Sequence, residues 1–110
     1  MDKKVIRYND TKNLLEGDEF TKVYVHTDKL IFATSTLLPG QKACLDKGHI
    51  GADEICYVIE GQVAIHLTGL DEVHELGKGD CILIPDGEPH YTVNIGDIKS
   101  VTAWACAPHL

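Results

Sequence analysis

A chain of 110 residues with 44% hydrophobic and 25% charged side chains has the balance of one globular domain around one modest core, with no bias toward disorder or collagen-like repeats. Its formal net charge of −7 excludes the basic footprint that nucleic acid demands and disfavours anionic membrane surfaces, leaving a small molecule as the expected partner. The opening MDKKVIRYND has no long apolar run, so neither a signal peptide nor a membrane span is expected and the chain reads as cytoplasmic.

The first segment, residues 9–20, has room for one helical turn. From there the periodicity is that of strands. Residues 20–26 alternate Phe20, Lys22, Tyr24 and His26 against Thr21, Val23 and Val25, and 30–38 is rich in β-branched and aromatic residues. Short strands are then predicted at 54–60, 62–67, 71–76, 81–85, 90–94 and 100–107, separated by turn signals at Pro39-Gly40, Gly61, Gly69, Gly77, Gly79-Asp80, PDGEP and Gly96-Asp97. Regular short strands with such punctuation predict an all-β sandwich or barrel. Cys44, Cys56, Cys81 and Cys106 form no C-x-x-C pair and mostly sit in apolar runs, so they read as reduced thiols rather than a zinc site or a disulfide framework.

The sharpest pattern lies in the second half. GDCILIPDGEPHYTVN sets Gly79, Pro85, Gly87, His90 and Asn94 in the order G-x5-P-x-G-x2-H-x3-N. A tight turn leads into a buried strand, Pro85 ends its pairing, Gly87 lets the chain turn back, and His90 opens the next strand. This spacing resembles the second motif of the cupin superfamily. In CLDKGHIGADEICYVIEG, Glu54 and Gly61 match the E-x6-G half of the first motif and His49 stands where its second histidine belongs. The first histidine is missing. Counting back from His49 puts Lys47 in its place; counting forward from Gly40 puts Asp46 there. The motifs occupy 40–61 and 79–94 of a single expected domain over 1–110.

The resemblance implies a small antiparallel β-barrel, or jelly roll, with His49, Glu54 and His90 converging inside one end on a divalent metal. Two imidazoles and a carboxylate suit Fe, Mn, Ni, Co, Cu or Zn and leave coordination positions open. Asp46 is a further candidate ligand. Lys47 is either a solvated loop residue or a cation that enters the barrel and pairs with Glu54 in place of a metal. Cys56, two residues beyond Glu54, shares its strand face and is a candidate pocket residue, alternatively a packed thiol. Trp104 either walls the pocket or plugs the core. His66 and His74 fall on predicted strands without a ligand pattern, and His26 and His109 carry no spacing signal. Beyond the three ligands, Asp46, Lys47, Tyr57 and Glu88 are the candidates for a general base.

Two function classes follow. One is a metal-dependent enzyme acting on a small polar metabolite, of the isomerase, lyase or dioxygenase type. The other is a metal-free binding or sensor module with the same pocket and no turnover. Small cupins pair through sheet edges and N-terminal strands, so the resemblance also implies a homodimer.

Overall fold

In a computed structural model describing residues 4–108, the chain forms a short 3-10 turn at Tyr8–Asp10 and nine strands: β1 Lys12–Glu16, β2 Glu19–His26, β3 Ile31–Leu37, β4 Asp53–Glu60, β5 Gln62–Leu67, β6 Glu72–Gly77, β7 Cys81–Ile84, β8 His90–Asn94 and β9 Ser100–Ala107. His109 lies outside the described residues. All strand pairings are antiparallel, in a six-stranded sheet of order β1-β2-β3-β9-β4-β7 and a three-stranded sheet of order β6-β5-β8. Buried side chains of both sheets pack into one cluster, with Cys56, Val58 and Ile84 from the larger sheet against Val63, Ile65 and Leu67 from the smaller. This is the expected all-β jelly roll.

Residues 9–20 depart from the expectation. The 3-10 turn covers only Tyr8–Asp10, and residues 12–16 form a strand instead of a helical turn. All five residues of β1 are exposed. Burial therefore leaves no alternation to read, and the strand exists because Lys12 to Glu16 pair in register with Val23 back to Glu19. The simple alternation over 20–26 also breaks. A bulge between Val23 and Val25 shifts the register against β3 and turns His26 toward the interior alongside its partner Ile31.

The two motif ends act as fasteners. Gly61 turns from β4 into β5 with φ of 84°, and a Cβ there would lie 2.7 Å from the Lys99 carbonyl oxygen, so no other residue fits without movement. The buried Asn94 side chain donates to the Leu37 and Ile98 carbonyls, each at 2.9 Å, and its Oδ1 accepts from the Gly96 N–H at 2.8 Å. One amide thus ties three chain segments together where no strand pairing reaches.

The register also sorts the interior into two flanks. Between β4, β5 and β7 the inward positions are Val58, Val63, Ile65, Leu67 and Ile84, which close-pack. Between β1, β2, β3, β9 and β8 they include Thr21, Ala33, Ser35 and Thr92, side chains too small to meet across the gap, and a cavity of about 620 Å³ remains. Trp104 stands between the flanks, packing on the apolar cluster and lining the cavity.

Candidate metal centre

The cavity opens beside the loop that follows β3. Two backbone hydrogen bonds of 2.8 Å, Asp46 N–H to the His90 carbonyl and His90 N–H to the Asp46 carbonyl, fasten that loop to the start of β8. The Gly48 N–H then donates to Asp46 Oδ1 at 2.8 Å, which aims Oδ2 at the histidines. Gly48 has φ of 88°, and a Cβ on it would sit 2.6 Å from the Gly87 carbonyl. The loop can press against the Gly87 turn only because residue 48 has no Cβ. Ala52 and Gly87 N–H groups both donate to the His49 carbonyl, and the Gly51 N–H donates to Asp86 Oδ1 at 2.7 Å.

The side chains so held converge. His49 Nε2 is 3.3 Å from Asp46 Oδ2, His90 Nε2 is 3.3 Å from Glu54 Oε1, and His90 Nε2 is 3.8 Å from Asp46 Oδ2. One donor atom each from Asp46, His49 and Glu54 falls within a 4.8 Å cluster. Exposure falls inward from Asp46, 38% exposed, through Glu54 at 13% to His90 at 3%. His90 also stacks on the Trp104 ring, with centroids 5.7 Å apart and 18° between planes, while the Trp104 indole N–H donates to Thr102 Oγ1 at 2.8 Å.

The chemistry of this donor set fits a divalent ion. His90 Nδ1 lies 2.9 Å from the Glu88 carbonyl oxygen. A carbonyl only accepts, so Nδ1 carries a proton, and Nε2 is the ring atom turned toward the two carboxylates. A lone pair facing anionic oxygens is repulsive unless a cation or a proton stands between them. Burial and the nearby Asp46 and Glu19 charges push the Glu54 carboxyl up to about 8, so without a cation the cluster keeps a proton at neutral pH. Two imidazoles and two carboxylates would replace that proton with a metal and leave coordination positions toward the cavity.

The structure separates the remaining candidates. Asp46, not Lys47, faces the histidines; Lys47 is exposed at the cavity mouth, and among the described residues no ion pair joins it to Glu54. Cys56 does not line the pocket. It is wholly buried in the apolar cluster between its strand neighbours Trp104 and Ile82, and burial drives its thiol far above the ordinary range. The thiol that reaches the cavity is Cys106, pushed up to about 11 by burial and then by Glu54, so neither cysteine offers a thiolate. Tyr57 is on the outer sheet face, and the Glu88 carboxylate is occupied by the Gly69 and Leu70 N–H groups at 2.7 and 3.1 Å. His66 stacks on Tyr91 away from the centre, and exposed His74 pairs with Glu72.

The sequence reading missed Glu19. It lines the cavity outside the cluster, and burial, followed by Glu16 and Asp46, raises its carboxyl to about 7 despite a hydrogen bond from Ser35. The signal was within reach, because Glu19 is two residues before Thr21 on the inward face of β2.

A two-sheet jelly roll with histidines and carboxylates gathered at a cavity mouth defines the class: a small β-barrel protein with a candidate metal centre. More narrowly, the chain belongs to the cupin domain family, whose pattern matches residues 33–105. It is 41% identical over 59 residues to "Uncharacterized protein MJ1618" of Methanocaldococcus jannaschii, a match spanning 54% of this chain and less than half, 45%, of that protein. Its fold is similar to that of KdgF from Halomonas sp. (TM-score 0.79, 21% identity, 98% of this chain and 96% of that one). It is also similar to a predicted oxalate decarboxylase from Thermotoga maritima (TM-score 0.74, 21% identity, 94% of this chain and 98% of that one).

Proposed function

We propose that this cupin is a metal-dependent enzyme acting on a small polar metabolite, with Asp46, His49, Glu54 and His90 holding a divalent transition metal (Fe, Mn, Ni, Co, Cu or Zn). One observation carries the reading: Nε2 of His90, in a ring oriented by the Glu88 carbonyl, faces two carboxylates beside a cavity of about 620 Å³. When bound, the ion would supply Lewis-acid or redox chemistry to a substrate oxygen. The chain's own groups do the rest. Trp104 holds the His90 ring plane, Lys12 and Lys47 bring positive charge to the cavity wall, and Glu19, its carboxyl raised by burial, adds a further acid to that wall. The reaction type is an isomerisation, a lyase reaction or a dioxygenation. Likeness to a predicted oxalate decarboxylase supports the lyase type and a small carboxylate as substrate. A cytoplasmic setting and a homodimer belong to the same reading, the first supported by four free thiols.

The test is metal content by elemental mass spectrometry on untagged protein purified without chelator, beside a His49→Ala, His90→Ala double variant. Near-stoichiometric transition metal that disappears in the variant is expected. Native protein that stays empty after reconstitution with Mn, Fe, Co, Ni and Zn overturns the reading and leaves a proton-filled pocket that binds a metabolite without turnover.

A further inference from the structure

The turn between β5 and β6 is exposed from Thr68 to Asp71, yet two of its backbone N–H groups are bound from inside the molecule. Strand β5 ends where Leu67 pairs with His90. The residue before His90 is Pro89, which has no N–H, so the regular ladder stops there. The Pro89 carbonyl still accepts from the Thr68 N–H at 3.0 Å and from Thr68 Oγ1 at 3.4 Å. Beyond it, the Gly69 and Leu70 N–H groups both donate to Glu88 Oε2, at 2.7 and 3.1 Å. Glu88 is 9% exposed, and a carboxylate so buried is destabilising unless donors meet it. A short polar side chain within a turn is the usual acceptor for such N–H groups. Here the acceptor comes from 19 and 18 residues away. It belongs to the same residue whose carbonyl oxygen lies 2.9 Å from His90 Nδ1.

We infer that, with the cluster read as a metal centre, Glu88 is its positioning residue: the carboxylate, clamped by the β5–β6 turn, holds the carbonyl that orients the His90 ring. Stacking on Trp104 sets the plane of that ring but not its rotation within the plane. The Nδ1–H bond to the Glu88 carbonyl sets the rotation, and with it the direction of Nε2. Neighbouring bonds leave this carbonyl to the clamp. The Glu88 N–H donates to the Pro85 carbonyl at 3.0 Å and the His90 N–H to the Asp46 carbonyl at 2.8 Å, while Pro89 between them donates nothing. Gly69 is matched to the arrangement. Its φ lies outside the left-handed region, so the backbone does not demand glycine there. Space does, because a Cβ on Gly69 would lie 2.7 Å from Glu88 Oε1 and 3.0 Å from Oε2. Alanine would displace the carboxylate without straining the turn.

Titration of chelator-treated protein with Co²⁺, followed by visible absorption, tests the inference, beside proton NMR of the His90 ring N–H in the metal-free state. Glu88→Ala should weaken Co²⁺ binding by about 10–100-fold, and Gly69→Ala should weaken it by a smaller factor. Glu88→Gln should recover part of the loss, because an amide oxygen can accept both N–H groups. Gly69→Ala added to Glu88→Ala should weaken binding less than about two-fold further, since no carboxylate is left to displace. Gly79→Ala is the control: it strains a turn at φ of 89° with no atom within 4 Å of the new Cβ, and should lower stability without moving Co²⁺ affinity. In metal-free protein the His90 Nδ1 proton should exchange slowly with water in wild type and Gly79→Ala, and faster in Glu88→Ala and Gly69→Ala. Should Glu88→Ala not fold, Gly69→Ala carries both measurements. Co²⁺ affinity within about two-fold of wild type in Glu88→Ala, additive losses for the two substitutions, or an unchanged His90 proton overturns the inference. Wild type that takes up no Co²⁺ sinks the metal reading instead, and the His90 proton then decides the positioning role alone.

Discussion

The two flanks of the interior use the same strand geometry to opposite ends. On the β4, β5, β7 side the inward positions are Val, Ile and Leu, and they meet in a closed core. On the β2, β3, β8 side they include the small Thr21, Ala33, Ser35 and Thr92, and a cavity remains whose mouth collects Asp46, His49, Glu54 and His90. Trp104 belongs to both. A small β-protein can therefore place stability in one flank and chemistry in the other, provided a large rigid side chain stands between them. On the hollow flank, burial and then neighbouring acids raise the Glu19 carboxyl to about 7 and the Glu54 carboxyl to about 8.

The largest expected effect tests the closed flank. Ile65→Ala removes a wholly buried side chain and should destabilise the fold by about 2–5 kcal/mol, read by urea unfolding. Metal content of the folded fraction should be unchanged; loss of both would show that the flanks are not separate.

A smaller effect tests the hollow flank. In chelator-treated protein, Glu54 in the folded state keeps a proton that the unfolded chain releases above about 4.5, so its contribution is full below that pH and is lost as pH rises toward 8. Stability should fall across that window with a slope of at most ~1.4 kcal/mol per pH unit per group. Glu19 adds a second share between about 4.5 and 7. Glu54→Gln should flatten the upper part of the curve in thermal unfolding from pH 5 to 8. A wild-type curve that rises over this range would contradict the environment described for Glu54.

The smallest effect concerns the mouth. Lys47→Ala should change stability by less than ~0.5 kcal/mol and leave metal content intact, because the side chain is exposed. A marked loss of stability in the metal-free state would return Lys47 to the role of internal counter-ion.

Much of this was legible from residue order. Strands β5, β8 and β9 occupy the residues that alternation and turn chemistry predicted, 62–67, 90–94 and 100–107. Those strands have one face in the core, and a period of two survives in the sequence wherever that holds. β1 was not legible, because none of its residues is buried and only pairing with β2 makes it a strand. The bulge after Val23 was equally hidden, and with it the inward turn of His26.

By itself the sequence determined the strand count within one, the family, and the spacing of His49, Glu54, Gly61 and His90, because each rests on local periodicity or on short turns whose residue requirements are strict. Tertiary structure alone decided the rest. Asp46 rather than Lys47 reaches the centre because backbone bonds to His90 orient that stretch of loop, and a loop has no period from which facing could be read. Cys56 is core and Cys106 is cavity because burial depends on what stands across the sheet. Glu19 and Glu54 carry raised pKa values first because burial withdraws their water, and then because β1, β2, β4 and the loop holding Asp46 bring acids together from distant parts of the chain.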